Sequence, residues 1–338
     1  MIKDQDKSVM NCQNINNENS GRAFSQQIFS ASSPSNIALV KYWGKKSGIQ
    51  IPANPSVSIT LDKARTYVRM TVRPLEEDNY GWIKLFFHGQ EMPSFIPKIE
   101  KYFNYVSEYL PFIKEISFSL ESVNTFPHSA GIASSASSMS AMAYCLVELE
   151  KHFTGIEMSE EDFLRRASFF ARLGSGSACR SLYGKGASWG QLSNDSRFSD
   201  LYASPVSIHP MFEELNDTIL IVDANKKSVS SRAGHGLMDR HPFAEKRFVQ
   251  GKENWELALK FLEEGRWDEL GAIIEEEALS LHAMMMTSRP GYLLLCPDTV
   301  KAIGLIRSYR YETGTPLYFT LDAGPNLHLL YPKGVRGE

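Results

Sequence analysis

Between residues 57 and 62 apolar and polar side chains alternate. Val57, Ile59 and Leu61 stand against Ser58, Thr60 and Asp62, the two-residue period of a half-buried strand. Tyr67–Arg73, Trp82–Phe87 and Ile116–Val123 read as further strands. From Ser134 the period changes: Met139, Met142, Ala143, Leu146 and Leu149 recur at helical spacing through Glu150. A second helix is predicted over Glu160–Leu173, with Phe163, Leu164, Ala167, Phe170 and Ala171 facing inward. A composition break at Asp195–Pro210 marks a domain seam. Beyond it the pattern gives a strand at Thr218–Asp223, helices at Glu253–Glu264, Trp267–Met285 and Pro297–Glu312, and strands at Leu317–Leu321 and Leu327–Tyr331. Strands come first and helices are interleaved without regular alternation, which predicts an α+β fold rather than a doubly wound sheet. The Asn-rich residues 1–27 have little to bury and predict a disordered tail.

Composition narrows the function classes. The chain has 338 residues, 43% hydrophobic and 22% charged, with a formal net charge of -3. That balance carries no basic excess for a nucleic-acid backbone, and nucleic acid is not an expected partner. Cys12, Cys145, Cys179 and Cys296 form no CxxC pair, so zinc, redox and disulfide readings are poor and buried reduced thiols are the plain one. The longest apolar runs, such as Ile219–Val222, are too short for a bilayer span, and the N-terminus has no hydrophobic signal core. A cytoplasmic protein with no membrane partner is the expectation.

Four stretches carry candidate chemistry. Phe126–Ser138 is a run of small residues between a strand and a strong helix, where open N–H groups and the helix dipole favour a phosphate. It is not a Walker A loop, and a capped helix after a loop reads equally well. Gly174–Gly184 holds two leading glycines, serines and Arg180, either an exposed loop or an anion site with a bidentate fork. Asn36–Lys46 sets lysines among aromatics, and its plain reading is a strand end with solvated lysines. Thr320–Asn326 puts Asp322 at a strand end before a Gly-Pro turn, as a turn acid or a catalytic one.

In their order and wording these stretches resemble the diphosphomevalonate decarboxylase family of the GHMP kinase superfamily. The likeness covers roughly residues 30 to 332. Pro127-x-x-x-Gly131-x-x-Ser134-Ser135-Ala136 marks the superfamily; Lys41–Lys45 and Ser175–Arg180 single out the decarboxylases. The resemblance implies a two-domain GHMP kinase-type fold, with an ATP-binding domain at 28–200, a second domain at 201–338 and the active site in the cleft between them. It implies ATP and magnesium, 5-diphosphomevalonate as substrate, and a homodimer.

It also implies roles. Asp322 meets the substrate's 3-hydroxyl as base or orienting acceptor, with Lys41 beside it; a neighbouring ammonium keeps such an acid ionised but weakly basic. Arg180 holds the carboxylate that is lost. Tyr42, Lys45, Ser231 and Arg232 contact the diphosphate, and Trp43, Gly44, Ser175, Gly176, Ser177, Ala178 and Cys179 complete the substrate pocket. Pro127, Ser129, Gly131, Ser134, Ser135, Ala136 and Ser137 cradle the nucleotide's phosphates. No metal ligand is indicated. Pro55, His128, Ser129 and Met284–Met286 depart from the family's usual wording without removing a catalytic group. The rivals are a 3-hydroxyl kinase that does not decarboxylate, a relative acting on the monophosphate, and a non-catalytic ligand sensor on the same fold.

Overall fold

The spine of the molecule is β2, Ser56–Pro74, a single 19-residue strand. In the computed structural model, which describes residues 25–75, 82–127, 132–191, 195–223 and 231–334, β2 pairs antiparallel with three partners. Along nearly its whole length it faces β1, Gln27–Val40. Its far end meets β5, Ile116–Asn124, and its near end meets β6, Gly186–Trp189. The strands β3 (Ile83–Phe87), β4 (Gln90–Glu91) and β7 (Ser204–Pro205) complete a seven-stranded sheet, with β3 and β5 the parallel pair. The predicted strands at 57–61 and 67–73 are therefore one. Their separation in the sequence pattern is a bulge: Pro34 pairs with Arg65 and the next residue, Ser35, with Leu61, so Asp62, Lys63 and Ala64 loop out.

Three helices cover one face: α1 (Ile96–Val106), α2 (Ser134–Thr154) and α3 (Glu160–Gly174). The helical spacing of Met139, Met142, Leu146 and Leu149 puts all four against sheet residues Met70, Val72, Phe118 and Leu120. The helix α1 was not in the sequence pattern; its Pro97, harmless in a first turn, hides the spacing of Ile99, Tyr102, Phe103 and Val106.

The second half builds β8 (Asn216–Leu220), α4 (Ser231–Gly236), α5 (Ala244–Glu264), α6 (Trp267–Thr287), α7 (Pro297–Thr313), β9 (Tyr318–Thr320) and β10 (Leu327–Tyr331). Its sheet runs β8-β10-β9. A core of Ile37, Leu39, Val57 and Ile59 from the first half with Trp255, Leu262, Leu270, Ile274 and Leu330 from the second crosses the seam expected near residue 200. Burying such side chains contributes roughly 1.5–3 kcal/mol each, so the halves hold one another in register. The expected tail falls, up to residue 24, outside the described residues, and Gln27 already belongs to β1. Among the described residues no helix is long and apolar enough to cross a membrane.

Candidate active site

Lys41 is the first residue past β1. The strand's apolar end, Ile37–Val40, is buried, and it carries the lysine inward, to 2% exposure. The ammonium donates to the Ala38 carbonyl at 2.8 Å and to Asp322 Oδ1 at 3.0 Å. It is not a solvated strand-end lysine. Asp322 follows β9 and keeps 31% of its side chain open, so the pair has one buried and one accessible member. Its turn is fixed from both sides. His282 Nε2 lies 3.1 Å from the Asp322 carbonyl, and Asn326 Oδ1 accepts the N–H groups of Val222 and Asp223.

Arg180 lies in a short 3-10 turn, Gly176–Leu182, and is 2% exposed. Its Nε donates to Ser58 Oγ at 2.9 Å, Nη1 to Ser56 Oγ and Nη2 to Asn36 Oδ1 at 3.4 Å. All three acceptors are neutral. Burial pulls the guanidinium's pKa down, and the Asp322 carboxylate works against that shift. A buried cation whose hydrogen bonds all go to neutral oxygens is incompletely compensated, and an anionic ligand would complete it. Ser56 and Ser58 escaped the sequence reading, which placed Ser58 on a solvated strand face; at 0% and 1% exposure they line a polar interior around Arg180.

The Tyr42–Lys45 segment folds against α4. His235 sits 4.3 Å from the Tyr42 ring and 4.5 Å from Trp43, and its Nδ1 accepts the Gly44 N–H at 3.0 Å. Gly44 is required here: its φ is +92, and a Cβ would meet Phe248 at 2.8 Å. Burial, with the nearby Lys45 charge, pushes the His235 imidazole down to about 3. The Tyr42 hydroxyl is buried without a hydrogen-bond partner, and burial raises its pKa. Ser231 and Arg232 open α4, of which only their backbone is described, and Lys226–Ser230 lie outside the described residues.

The Gly174–Gly184 stretch divides. A Cβ on Gly176 would meet Trp189 at 2.8 Å and Tyr42 at 2.9 Å, so the bare backbone is what lets the tyrosine approach. Ser175 and Ser177 are half-buried beside it. Ala178 and Cys179 are fully buried; the thiol donates to the Gly176 carbonyl and is pushed up to about 12 by burial, so both shape the turn from behind.

At the start of α2 no side chain caps the helix, whose N-cap position is Ala133. Ser134 is half-buried and Ser135 exposed. Ala136 is buried, and the Ser137 hydroxyl turns inward to Thr66 Oγ1 at 2.6 Å. Pro127 is exposed, and Ser129 and Gly131 lie outside the described residues. Among the described residues, Ser122 Oγ and Asn124 Nδ2, on the strand leading into the loop, are buried with no hydrogen-bond partner, which leaves two polar atoms open to a ligand. Neither was singled out from sequence, where they read as ordinary strand polars. Neighbouring residues of β1 tie the two sites together: Ser35 Oγ donates to the Ala133 carbonyl and Asn36 contacts Arg180. Among the described residues no cluster of His, Cys, Asp or Glu could hold a metal by itself.

Residues 33–199 match the family model described as a diphosphomevalonate decarboxylase-like N-terminal domain. The chain is 30% identical over 322 residues to the diphosphomevalonate decarboxylase of Ganoderma lucidum, covering 90% of this chain and 78% of the relative. The mevalonate diphosphate decarboxylase of Staphylococcus aureus superposes with a TM-score of 0.78 at 31% identity, over 91% of this chain and 88% of that one. A structure of MDDEF in complex with MVAPP, AMPPCP and magnesium superposes with a TM-score of 0.78 at 28% identity, over 91% and 90% of the two chains. With its sheet, its uncapped small-residue helix start and its Lys41–Asp322 pair beside a buried arginine, the chain belongs to the diphosphomevalonate decarboxylase family, with the GHMP kinase-type α+β fold.

Proposed function

We infer that this chain catalyses the ATP-dependent decarboxylation of (R)-5-diphosphomevalonate to isopentenyl diphosphate, releasing ADP, phosphate and carbon dioxide in the mevalonate route to isoprenoids. The observation that carries the reading is Arg180, buried among three neutral oxygens beside the Lys41–Asp322 pair. A kinase needs an acceptor for the hydroxyl proton; a decarboxylase also needs a cation to orient the carboxylate. ATP with magnesium supplies the phosphoryl group that turns the tertiary 3-hydroxyl into a leaving group, and its departure accepts the electrons left by carbon dioxide. Asp322 takes the hydroxyl proton, through its accessible face. Lys41 holds that carboxylate at 3.0 Å. Arg180 fixes the substrate carboxylate in the geometry for loss. Tyr42, Lys45, Ser231 and Arg232 take the diphosphate, and the α2 start with Ser134 and Ser135 takes the nucleotide phosphates.

The reading assigns residues 28–200 to the nucleotide domain and 201–338 to its partner, in a cytoplasmic homodimer. The unpaired thiols of Cys145, Cys179 and Cys296 suit a reducing compartment; sedimentation tests the dimer. Substrate labelled at the carboxyl carbon tests the reaction: carbon dioxide and ADP are expected in equal amounts. ADP without carbon dioxide would make the protein a 3-hydroxyl kinase.

A further inference from the structure

Lys41 lies outside the strand ladder, so its buried peptide must find other partners. Both of its backbone groups are held by side chains. The Lys41 N–H donates to Glu277 Oε2 at 2.8 Å, and the Lys41 carbonyl accepts from Asn54 Nδ2 at 3.0 Å. Glu277 comes from α6 and is 0% exposed. Its carboxylate is itself oriented from α5: Arg247 Nη2 donates to Oε2, and Asn254 Nδ2 donates to Oε1 at 2.8 Å. One helix of the second half, braced by another, thus grips the main chain of one residue of the first.

The arrangement is costly as a stabilising device. Arg247, 2% exposed, leaves Nε and Nη1 buried without hydrogen-bond partners. A packed apolar pair would fill such a place at no loss of stability, since desolvating two charges offsets most of their attraction. What an apolar pair could not do is accept the Lys41 N–H. We propose that Glu277 is a positioning residue for the reaction: it fixes the Lys41 main chain, and through it the distance from the ammonium to Asp322, with Arg247 and Asn254 holding the carboxylate in aim. The inference rests on the reading of Lys41 and Asp322 as the reaction centre.

Two residues earlier on the same helix, Glu275 provides the control. It is also buried, at 4% exposure, and pairs with Arg307 at 3.1 Å and Arg310 at 2.6 Å. It belongs to the α6–α7 contact and does not touch Lys41. Glu277→Gln, Glu277→Ala and Glu275→Gln are to be compared by thermal melting and by full kinetics, well below each melting temperature. Displacing a catalytic group by about 1 Å can cost roughly 100-fold in rate. Accordingly Glu277→Ala should lower kcat by about 10- to 100-fold while the KM for ATP stays near wild type, and Glu277→Gln, which keeps an oxygen for the Lys41 N–H, should recover part of the loss. Glu275→Gln should melt earlier and keep kcat. If both glutamate sites lose melting temperature alike and both keep kcat, Glu277 is structural only and the inference fails. Should Glu277→Ala not fold, Glu277→Gln decides alone: unchanged kcat overturns the proposal, reduced kcat at unchanged ATP KM supports it. Failure of the functional reading is a different result, in which the wild-type protein itself releases no carbon dioxide from diphosphomevalonate.

Discussion

At the scale of single residues, His235 makes a prediction about acid stability. The unfolded imidazole protonates near 6.5, whereas the folded one, buried between Tyr42 and Trp43, resists protonation down to about 3. As pH falls the unfolded chain takes up this proton first. The stability contributed by the site is therefore complete above pH 6.5 and is lost progressively below it, at about 1.4 kcal/mol per pH unit. Thermal melts of wild type and His235→Asn between pH 7 and 4 should converge on acidification, because the variant lacks this sensitivity; parallel curves would mean the ring titrates in the fold as it does in the unfolded chain. His235 was not legible beforehand. The candidate site residues that stood out were those in unusual strings, Lys41–Lys45, Ser175–Arg180 and Asp322. Of the residues that hold them, Ser56, Ser58, Arg247 and Glu277 sit in strands and helices where a serine or an acid reads as surface, and Asn54 sits in the bend before β2. Only tertiary burial separates the two cases.

At the scale of elements, the starts of α2, α3, α6 and α7 were legible, each within a residue or two of where the pattern places it, whereas α5 begins at Ala244, nine residues before the Glu253 the pattern gave. The strands were less so. β1 contains Ser30, Ser32, Ser33, Pro34 and Ser35, a poor strand by propensity, and is held by thirteen residues of register against β2 and by hydrogen bonds such as Ser33 Oγ to Ser140 Oγ at 2.8 Å. The same bare-backbone logic governs the Gly176 turn. Gly176→Ala would drive a methyl into Trp189 and Tyr42, an overpacking of about 1–3 kcal/mol. Since Tyr42 is assigned to the diphosphate, the KM for diphosphomevalonate should rise several-fold with the KM for ATP unchanged. A rise in both would place Tyr42 outside the substrate end.

At the scale of the molecule, the proposed reaction centre draws on both halves of the chain. Lys41 and Arg180 come from the first; Asp322 and Glu277 come from the second. The core that crosses the seam makes this possible, joining Ile37 and Leu39 directly before Lys41 to α5, α6 and β10. The sequence pattern announced two halves but not that their interface would be apolar, because each strand's buried face shows only that something covers it. The most direct test of the account is Asp322→Asn, which preserves shape and removes the proton acceptor. Loss of a general base typically costs 100- to 10,000-fold, so kcat should fall at least about 100-fold with diphosphomevalonate affinity little changed. On the proposed order, in which phosphorylation comes first, the variant should form neither ADP nor carbon dioxide. A variant that still turned ATP over at the wild-type rate with substrate present, and formed no carbon dioxide, would show that Asp322 acts after phosphoryl transfer and would contradict the role given to it.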